Sequence, residues 1–149
     1  MLPTGRYWEL DGDGIDSTAF FRALPEAFPE ATAFFAEGTV IDAEVEACLA
    51  SHAQPGDFLP GANTIRPVSR KFRCSFSPQL CEALAALSLR HAEPEMMDHV
   101  FLYRHSEALV YWHDAFSHAM WLSGLLPEER IGFLAGRLGR RYRLVTEPQ

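Results

Sequence analysis

Residues 99–113 read HVFLYR, HSE and ALVYWH, which are two dense apolar runs joined by a short polar segment. Apolar runs this close together predict two antiparallel strands joined by a tight turn, a β-hairpin. The turn residues Asp114–Ser117 and a third apolar run at His118–Leu122 extend the hairpin into a three-stranded meander. The centre of the chain is therefore expected to form an antiparallel sheet.

Strand-like and helix-like patterns alternate on both sides of this meander. Short alternating or apolar segments predict four further strands, at Arg6–Leu10, Thr32–Glu37, Lys71–Phe76 and Arg141–Val145. The last of these is expected to lie at an edge of the sheet.

Helices are predicted where a capping residue or an early proline precedes apolar residues at helical spacing, at Asp16 or Ser17, Asp42, Ser77 and Pro127. Pro25 and Pro29 are expected to end or divide the first helix. The segment Glu93–Glu95 is expected to form a turn.

This order predicts an α+β fold, a layered sandwich in which about four helices pack on a mixed or antiparallel sheet. A length of 149 residues suits one domain, and no internal repeat is visible, so residues 1–149 are expected to form a single domain. The Pro- and Gly-rich segment near 54–63 is expected to be a long surface loop within that domain.

The cysteines and the apolar segments indicate the cellular compartment in which the protein is expected. Cys48, Cys74 and Cys81 are an odd number without a CxxC pair, so we expect free, mostly buried thiols in a reducing environment. No stretch approaches the roughly 18 apolar residues of a membrane span. The first residues also lack the apolar core of a signal peptide. We therefore expect a cytoplasmic protein without a membrane partner.

The common catalytic motifs are absent from the sequence. It contains no GxGxxG, no P-loop, no GxSxG and no HExxH. We therefore expect no cofactor, and an enzyme is the less favoured class. A catalytic site assembled from scattered residues would leave no such motif.

The charge is distributed unevenly along the chain. The net charge is −7, but residues 1–63 hold 11 acidic and two basic residues and so carry −9. An acidic surface repels nucleic acid and attracts a basic partner. The residues predicted to bind such a partner are Asp11, Asp13, Asp16, Glu37, Asp42, Glu44 and Glu46. The alternative is a solvated acidic face that only keeps the protein soluble.

In size, acidity and lack of catalytic motifs, the chain resembles small bacterial proteins that act by binding another protein. Immunity proteins of toxin systems are of this type, and the resemblance is one of class only. It implies a basic partner enzyme, such as a nuclease toxin, with fast and salt-sensitive association.

Histidines concentrate in the meander and give an alternative function. Together with one aspartate they could form a zinc or iron site, or a histidine general base oriented by a carboxylate. The residues of this alternative site are His99, His113, Asp114 and His118. Histidines at strand ends are also common without any such role.

Two basic clusters lie within residues 64–149. They are Arg66, Arg70, Lys71 and Arg73, and Arg137, Arg140, Arg141 and Arg143. They could contact phosphate, or they could balance the acidic half within one fold or across a dimer. No nucleic-acid-binding motif accompanies them, so nucleic acid is not the expected partner. Tyr142 and Leu144 on the predicted edge strand could pair with a second copy of the chain.

Overall fold

A computed structural model describes residues 5–56 and 70–146, so the predicted loop near 54–63 lies outside the described residues from position 57 onward. The elements in chain order are β1 (Arg6–Leu10), α1 (Ser17–Ala27), β2 (Ala33–Gly38), α2 (Ala43–Ser51), β3 (Arg70–Ser75), α3 (Pro78–Ser88), α4 (Glu93–Met96), β4 (His99–Arg104), β5 (Glu107–Trp112), β6 (Met120–Ser123), α5 (Glu128–Leu138) and β7 (Tyr142–Thr146).

The seven strands form one sheet in the order β3-β2-β4-β5-β6-β1-β7. Every neighbouring pair in it is antiparallel. The predicted α+β fold with an antiparallel sheet is confirmed, and the final strand is at an edge as expected. The described residues form five helices instead of about four.

The additional helix, α4, occupies the segment that was predicted to be a turn. Its first turn is closed by the Glu95 side chain, which accepts a hydrogen bond of 2.9 Å from the Ala92 amide. Pro94 lies at the start of the helix, where a missing N–H costs nothing. Four residues are too few to show an apolar period, so the sequence pattern could not distinguish this helix from a turn.

The predicted meander is confirmed, since β4 pairs with β5 and β5 pairs with β6. The first turn is shorter than expected, because Glu107 already pairs with Arg104 and only His105 and Ser106 connect the strands. The third strand begins at Met120, not at His118. The Asp114 carbonyl accepts a hydrogen bond of 3.1 Å from the His118 amide, and this bond keeps His118 in the turn.

Three helices begin at the predicted caps. The side chains of Asp16, Asp42 and Ser77 accept hydrogen bonds from the first-turn amides of α1, α2 and α3. The prediction for Pro25 was wrong, because α1 continues through it to Ala27. Pro25 removes one hydrogen bond near the helix end, and the fully buried apolar face of α1 keeps the last turn in place.

The helices cover one face of the sheet. A single cluster of buried apolar side chains includes residues from every described element except β7. The opposite face of the sheet carries a smaller cluster made by Ala33, Phe35, Phe101, Tyr103 and Ala108, with Tyr111 packed against it. None of the helices in the described part of the chain has the length and apolar character that crossing a bilayer requires.

The three cysteines are free thiols, with Cys74 and Cys81 buried and Cys48 half-buried. Burial raises the pKa of both Cys74 and Cys81 to about 12. Since the thiolate is the reactive form, we expect at most one of the three thiols to react with Ellman's reagent within minutes at about pH 8. All three should react in guanidinium chloride. Rapid reaction of two or more in the native protein would contradict this burial.

Candidate functional site

The turn between β5 and β6, residues 113–119, has an unusual backbone. Asp114 and Phe116 both have left-handed φ values, of 51° and 70°. Such values are uncommon outside glycine, and for a bulky residue such as Phe116 they are strained. Strain of this kind persists only where surrounding contacts hold it, and it is frequent at functional sites.

Contacts from three directions hold this turn. The indole Nε1 of Trp112 donates to the His118 carbonyl at 2.8 Å. The Gly14 amide donates to the Phe116 carbonyl at 3.0 Å, and the Ala115 amide donates to a carbonyl of the α4–β4 connection at 2.8 Å. The turn is therefore fixed to its own strand, to the β1–α1 connection and to the segment before β4.

A close backbone approach makes the contact with the β1–α1 connection possible. A Cβ atom at Gly12 would overlap the His118 carbonyl oxygen and would lie 2.9 Å from the Trp112 indole nitrogen. Glycine is thus required at position 12 for the two turns to meet.

The structure brings the four residues of the predicted alternative site together at this turn. The Asp114 amide donates to Nδ1 of His99 at 2.8 Å, and Oδ2 of Asp114 lies 3.2 Å from Nδ1 of His113. The rings of His99 and His113 have their centroids 4.0 Å apart. His118 is more distant, with Nδ1 3.9 Å from Oδ2 of Asp114 and a side chain that is 67% exposed.

The hydrogen bond to His99 does not fit a metal ligand. Possible ligand atoms of His99, His113 and Asp114 all lie within 4.8 Å of one another. However, Nδ1 of His99 accepts a backbone N–H, so in the neutral ring the proton is on Nε2 and neither nitrogen has a free lone pair. Histidines that bind a metal donate from their second nitrogen instead. His118 does not belong to this group, so without His99 only His113 and Asp114 remain, which are too few ligands for a zinc site.

The geometry around His118 also differs from that of a catalytic triad. Its Nδ1 lies 3.0 Å from the Ser117 hydroxyl and faces Asp114 as well, so the same nitrogen would serve both partners. A triad histidine uses one nitrogen for the nucleophile and the other for the carboxylate. The Ser117 hydroxyl also donates to the Asp114 carbonyl at 3.0 Å.

His99 is held as a neutral ring. Its burial lowers its pKa, and the neighbouring His113 lowers the pKa further, while the carboxylates of Asp114, Glu37 and Asp98 oppose both effects. A neutral His99 also keeps its lone pair as the acceptor for the Asp114 amide.

This neutral histidine predicts a loss of stability in mild acid. The unfolded chain protonates His99 near its ordinary pKa of 6.5, whereas the folded chain does so only at lower pH. Its stabilising contribution is therefore complete above about pH 6.5 and is lost as the pH falls through the folded pKa. We expect urea unfolding to show a lower free energy at about pH 5.5 than at about pH 7. His99→Gln should reduce this pH dependence; an unchanged dependence in the variant would contradict the assignment to His99.

An open cavity of about 380 Å³ lies beside the histidines, on the sheet face that carries the smaller apolar cluster. We call it the aromatic cavity; the described residues that line it are Glu9, Tyr111, His113, Asp114, His118, Ala119 and Trp121. The Trp121 indole donates to Glu9 at 3.2 Å, and Glu9 also accepts from Arg143 at 3.0 Å.

Sequence reasoning missed Glu9 and Trp121 as neighbours of the histidines. The strand register places Trp121 opposite Glu9 of β1 and opposite Tyr111 of β5. Period-two alternation does put each side chain on one face of its strand. Only the order of β5, β6 and β1 in the sheet, which the sequence does not determine, brings the three together.

A second depression, of about 340 Å³, lies on the other side of Asp114. Four carboxylates, those of Asp13, Glu93, Asp98 and Asp114, line it, and we call it the acidic groove. Its other described lining residues are Gly14, Pro94, Met97, Ala115, Phe116 and Ser117, so none of them is a lysine or arginine.

Asp98 is held in a defined orientation in this groove. Its Oδ2 accepts hydrogen bonds from the Thr39 amide at 3.1 Å and from the Thr39 hydroxyl at 3.2 Å. No ion pair is found for Asp13, Glu93 or Asp98 within the described part of the chain. Asp13 was among the predicted partner-binding residues, whereas Glu93 and Asp98 were not, because they lie at and just after α4, far along the chain from the acidic N-terminal residues.

The other acids predicted to bind a partner have different surroundings. Asp11 and Asp16 are exposed near the groove residue Asp13, and Asp16 also caps α1. Glu37 is only 1% exposed, on β2, where the register places it opposite Lys71 and His99. Glu37 therefore cannot contact a partner at the surface without a rearrangement.

The acids at the start of α2 are paired within the chain. Glu44 accepts from Arg90 at 2.7 Å and lies 2.8 Å from Nε2 of His91, and these two contacts lower its pKa to about 2. Glu46 is paired with Arg70, and Asp42 caps the helix. These pairs reduce the negative field that Asp42, Glu44 and Glu46 present to a partner.

Further ion pairs join the acidic and basic halves of the chain. Glu30 lies 2.6 Å from Arg130, and Glu9 lies 2.8 Å from Arg143. The basic half thus balances part of the acidic half within one fold, which was one of the expected alternatives. Asp13, Glu93 and Asp98 of the acidic groove have no such cationic partner among the described residues, so their negative charge is not balanced in this way.

A scan against models of protein families found no match, and searches of curated proteins and of solved structures found no similar chain either.

Proposed function

We propose that this protein acts by binding another protein, and that the acidic groove receives basic side chains of that partner. An immunity-like inhibitor of a basic enzyme is the activity that fits this chemistry. The observation that carries the proposal is the convergence of Asp13, Glu93, Asp98 and Asp114 on one depression without a lysine or arginine among its described lining residues.

The composition of the groove suits a lysine or arginine side chain. The carboxylates can accept charge-assisted hydrogen bonds from the cationic head group. Met97, Ala115 and Phe116 offer apolar surface for the aliphatic stem of the same side chain. A concave surface of one charge also concentrates the field and speeds the encounter with an opposite charge.

Affinity capture from native cell lysate tests this proposal with three baits. The first is the wild-type protein, and the second is the groove variant Asp13→Asn/Glu93→Gln/Asp98→Asn. The third is the control variant Glu107→Gln/Glu128→Gln/Glu129→Gln, which loses the same charge at exposed positions outside the groove.

We expect the wild type and the control variant to capture one stoichiometric basic protein at low salt, and the groove variant to lose it. Binding should weaken at about 0.5 M salt, where the Debye length falls to roughly 4 Å. Absence of a partner for the wild type, or equal capture by the groove variant, would refute the proposal.

The aromatic cavity favours a second candidate, a small enzyme that uses His113 as a general base. The observation in its favour is that His113, Asp114, His118 and Glu9 share one opening with two aromatic side chains. The two candidates make opposite predictions for His113→Ala. An enzyme would lose turnover, whereas a protein that binds through the acidic groove would retain its partner.

A further inference from the structure

The two edges of the sheet differ in how they are closed. At the β3 edge, the segment after α2 runs alongside the strand: the Ser75 amide donates to the His52 carbonyl at 2.9 Å, and the Gln54 amide donates to the Arg73 carbonyl at 2.8 Å. At the other edge, β7 pairs only with β1 within the described residues. The described residues therefore cover one edge and leave the second without a partner strand.

The register shows which backbone groups of β7 point outward. The Asp11 amide donates to the Arg141 carbonyl at 3.1 Å, and the register continues with Glu9 opposite Arg143 and Tyr7 opposite Val145. In an antiparallel ladder, hydrogen-bonded pairs alternate with non-hydrogen-bonded ones. The N–H and C=O groups of Arg141, Arg143 and Val145 therefore face β1.

The backbone groups of the alternate residues, Tyr142, Leu144 and Thr146, consequently face away from the sheet. Leu144 is 44% exposed and Tyr142 is 37% exposed, which are high values for large apolar side chains. Charged side chains commonly protect an exposed edge from pairing. Here the Arg143 side chain is paired with Glu9 of β1, 2.8 Å away, so it is directed toward β1 and away from the outer edge, and this protection is weakened.

We propose that β7 pairs antiparallel with β7 of a second copy of this chain, about a two-fold axis at Leu144. In this register Leu144 faces its own counterpart and Tyr142 faces Thr146, so the outward N–H and C=O groups of these residues bond to one another. The two sheets join into one continuous antiparallel sheet.

Leu144 is the middle residue of β7, so this register pairs all five residues of the strand. The charge of Arg143 also disfavours the register one residue earlier. With the axis at Leu144, each Arg143 lies opposite Val145 of the second copy. With the axis one residue earlier, the two copies of Arg143 would lie directly opposite each other, which is destabilising. No residue of β7 lines the acidic groove. A result against the dimer would therefore leave the proposed function untouched, and the reverse also holds.

Sedimentation equilibrium of the purified full chain tests this dimer, together with three variants. Leu144→Pro removes an outward N–H without removing any bond to β1, and Leu144→Lys places like charges at the axis. Leu125→Lys is the matched control, since Leu125 is 59% exposed and lies outside β7. Circular dichroism checks that each variant folds, and Leu144→Lys decides the test if Leu144→Pro does not fold.

We expect twice the chain mass of 16.7 kDa for the wild type and for Leu125→Lys. Both Leu144 variants should be monomers or should dissociate at a concentration at least ten times higher. In hydrogen exchange, the Leu144 amide should become more protected as the wild-type concentration rises. A monomeric wild type at high micromolar concentration, dimers that survive both Leu144 variants, or a Leu144 amide with unchanged protection would overturn the proposal.

Discussion

Replacing Trp112 with alanine is expected to lower the free energy of unfolding by about 3–5 kcal/mol. The Trp112 side chain is fully buried, and its ring centroid lies 4.8 Å from that of Phe20 and 4.7 Å from that of Phe116. The variant also loses the hydrogen bond from the indole to the His118 carbonyl. Since native proteins are stable by only about 5–15 kcal/mol, this is a large fraction of the total.

Urea unfolding measures this loss, and Trp121→Ala is the matched control. Trp121 is 36% exposed, so the same substitution there should cost well under half as much. Trp112 also makes one of the contacts that hold the β5–β6 turn, so its removal should loosen both the acidic groove and the aromatic cavity. Equal losses for the two tryptophans would contradict this account of the turn.

The second large effect is expected on the rate of association with the partner. Neutralising Asp13, Glu93 and Asp98 together should slow association at least about tenfold at low salt, because the groove no longer concentrates the field. Stopped-flow or surface plasmon resonance with the captured partner measures this rate across a salt series.

The control variant at Glu107, Glu128 and Glu129 separates the effect of the groove on the association rate from the effect of the net charge. It removes the same total charge, so it should slow association much less than the groove variant does. The difference between the two should disappear at high salt, where the field is screened. If both variants slow association equally, net charge and not the groove governs the encounter.

The elements that the sequence predicted well have strong local signals. The meander follows from dense apolar runs around short turns, and α1, α2 and α3 follow from Asp16, Asp42 and Ser77 as caps. The helix at Glu93–Met96 was missed because a single turn has no period to detect. The effect of Pro25 was overestimated because the buried face of α1 outweighs one lost hydrogen bond.

The candidate site was less predictable because it depends on which loops meet. The proximity of His99, His113 and Asp114 followed from hairpin pairing, which is local in sequence. The groove joins Asp13 to Glu93 and Asp98, about 80 residues away in the chain, and no pattern in the sequence connects these positions.

The burial of Glu37 shows that the charge of a residue was also an unreliable guide to its exposure. Its position in the acidic half of the chain indicated a surface residue. Alternation along β2 instead places it on a sheet face with Ala33 and Phe35, where it is 1% exposed. A residue's charge does not predict its exposure when the strand that carries it is central in the sheet.

Titration of the ¹⁵N-labelled protein with a short arginine- and lysine-containing peptide, followed by amide chemical shifts, tests the acidic groove most directly and needs no known partner. We expect saturable, salt-sensitive shift changes that centre on the amides of Gly14, Met97, Asp98 and Ser117 and that are absent from the groove variant. Changes spread evenly over other acidic surfaces, or no change at the groove, would contradict the proposal that the groove binds a basic partner.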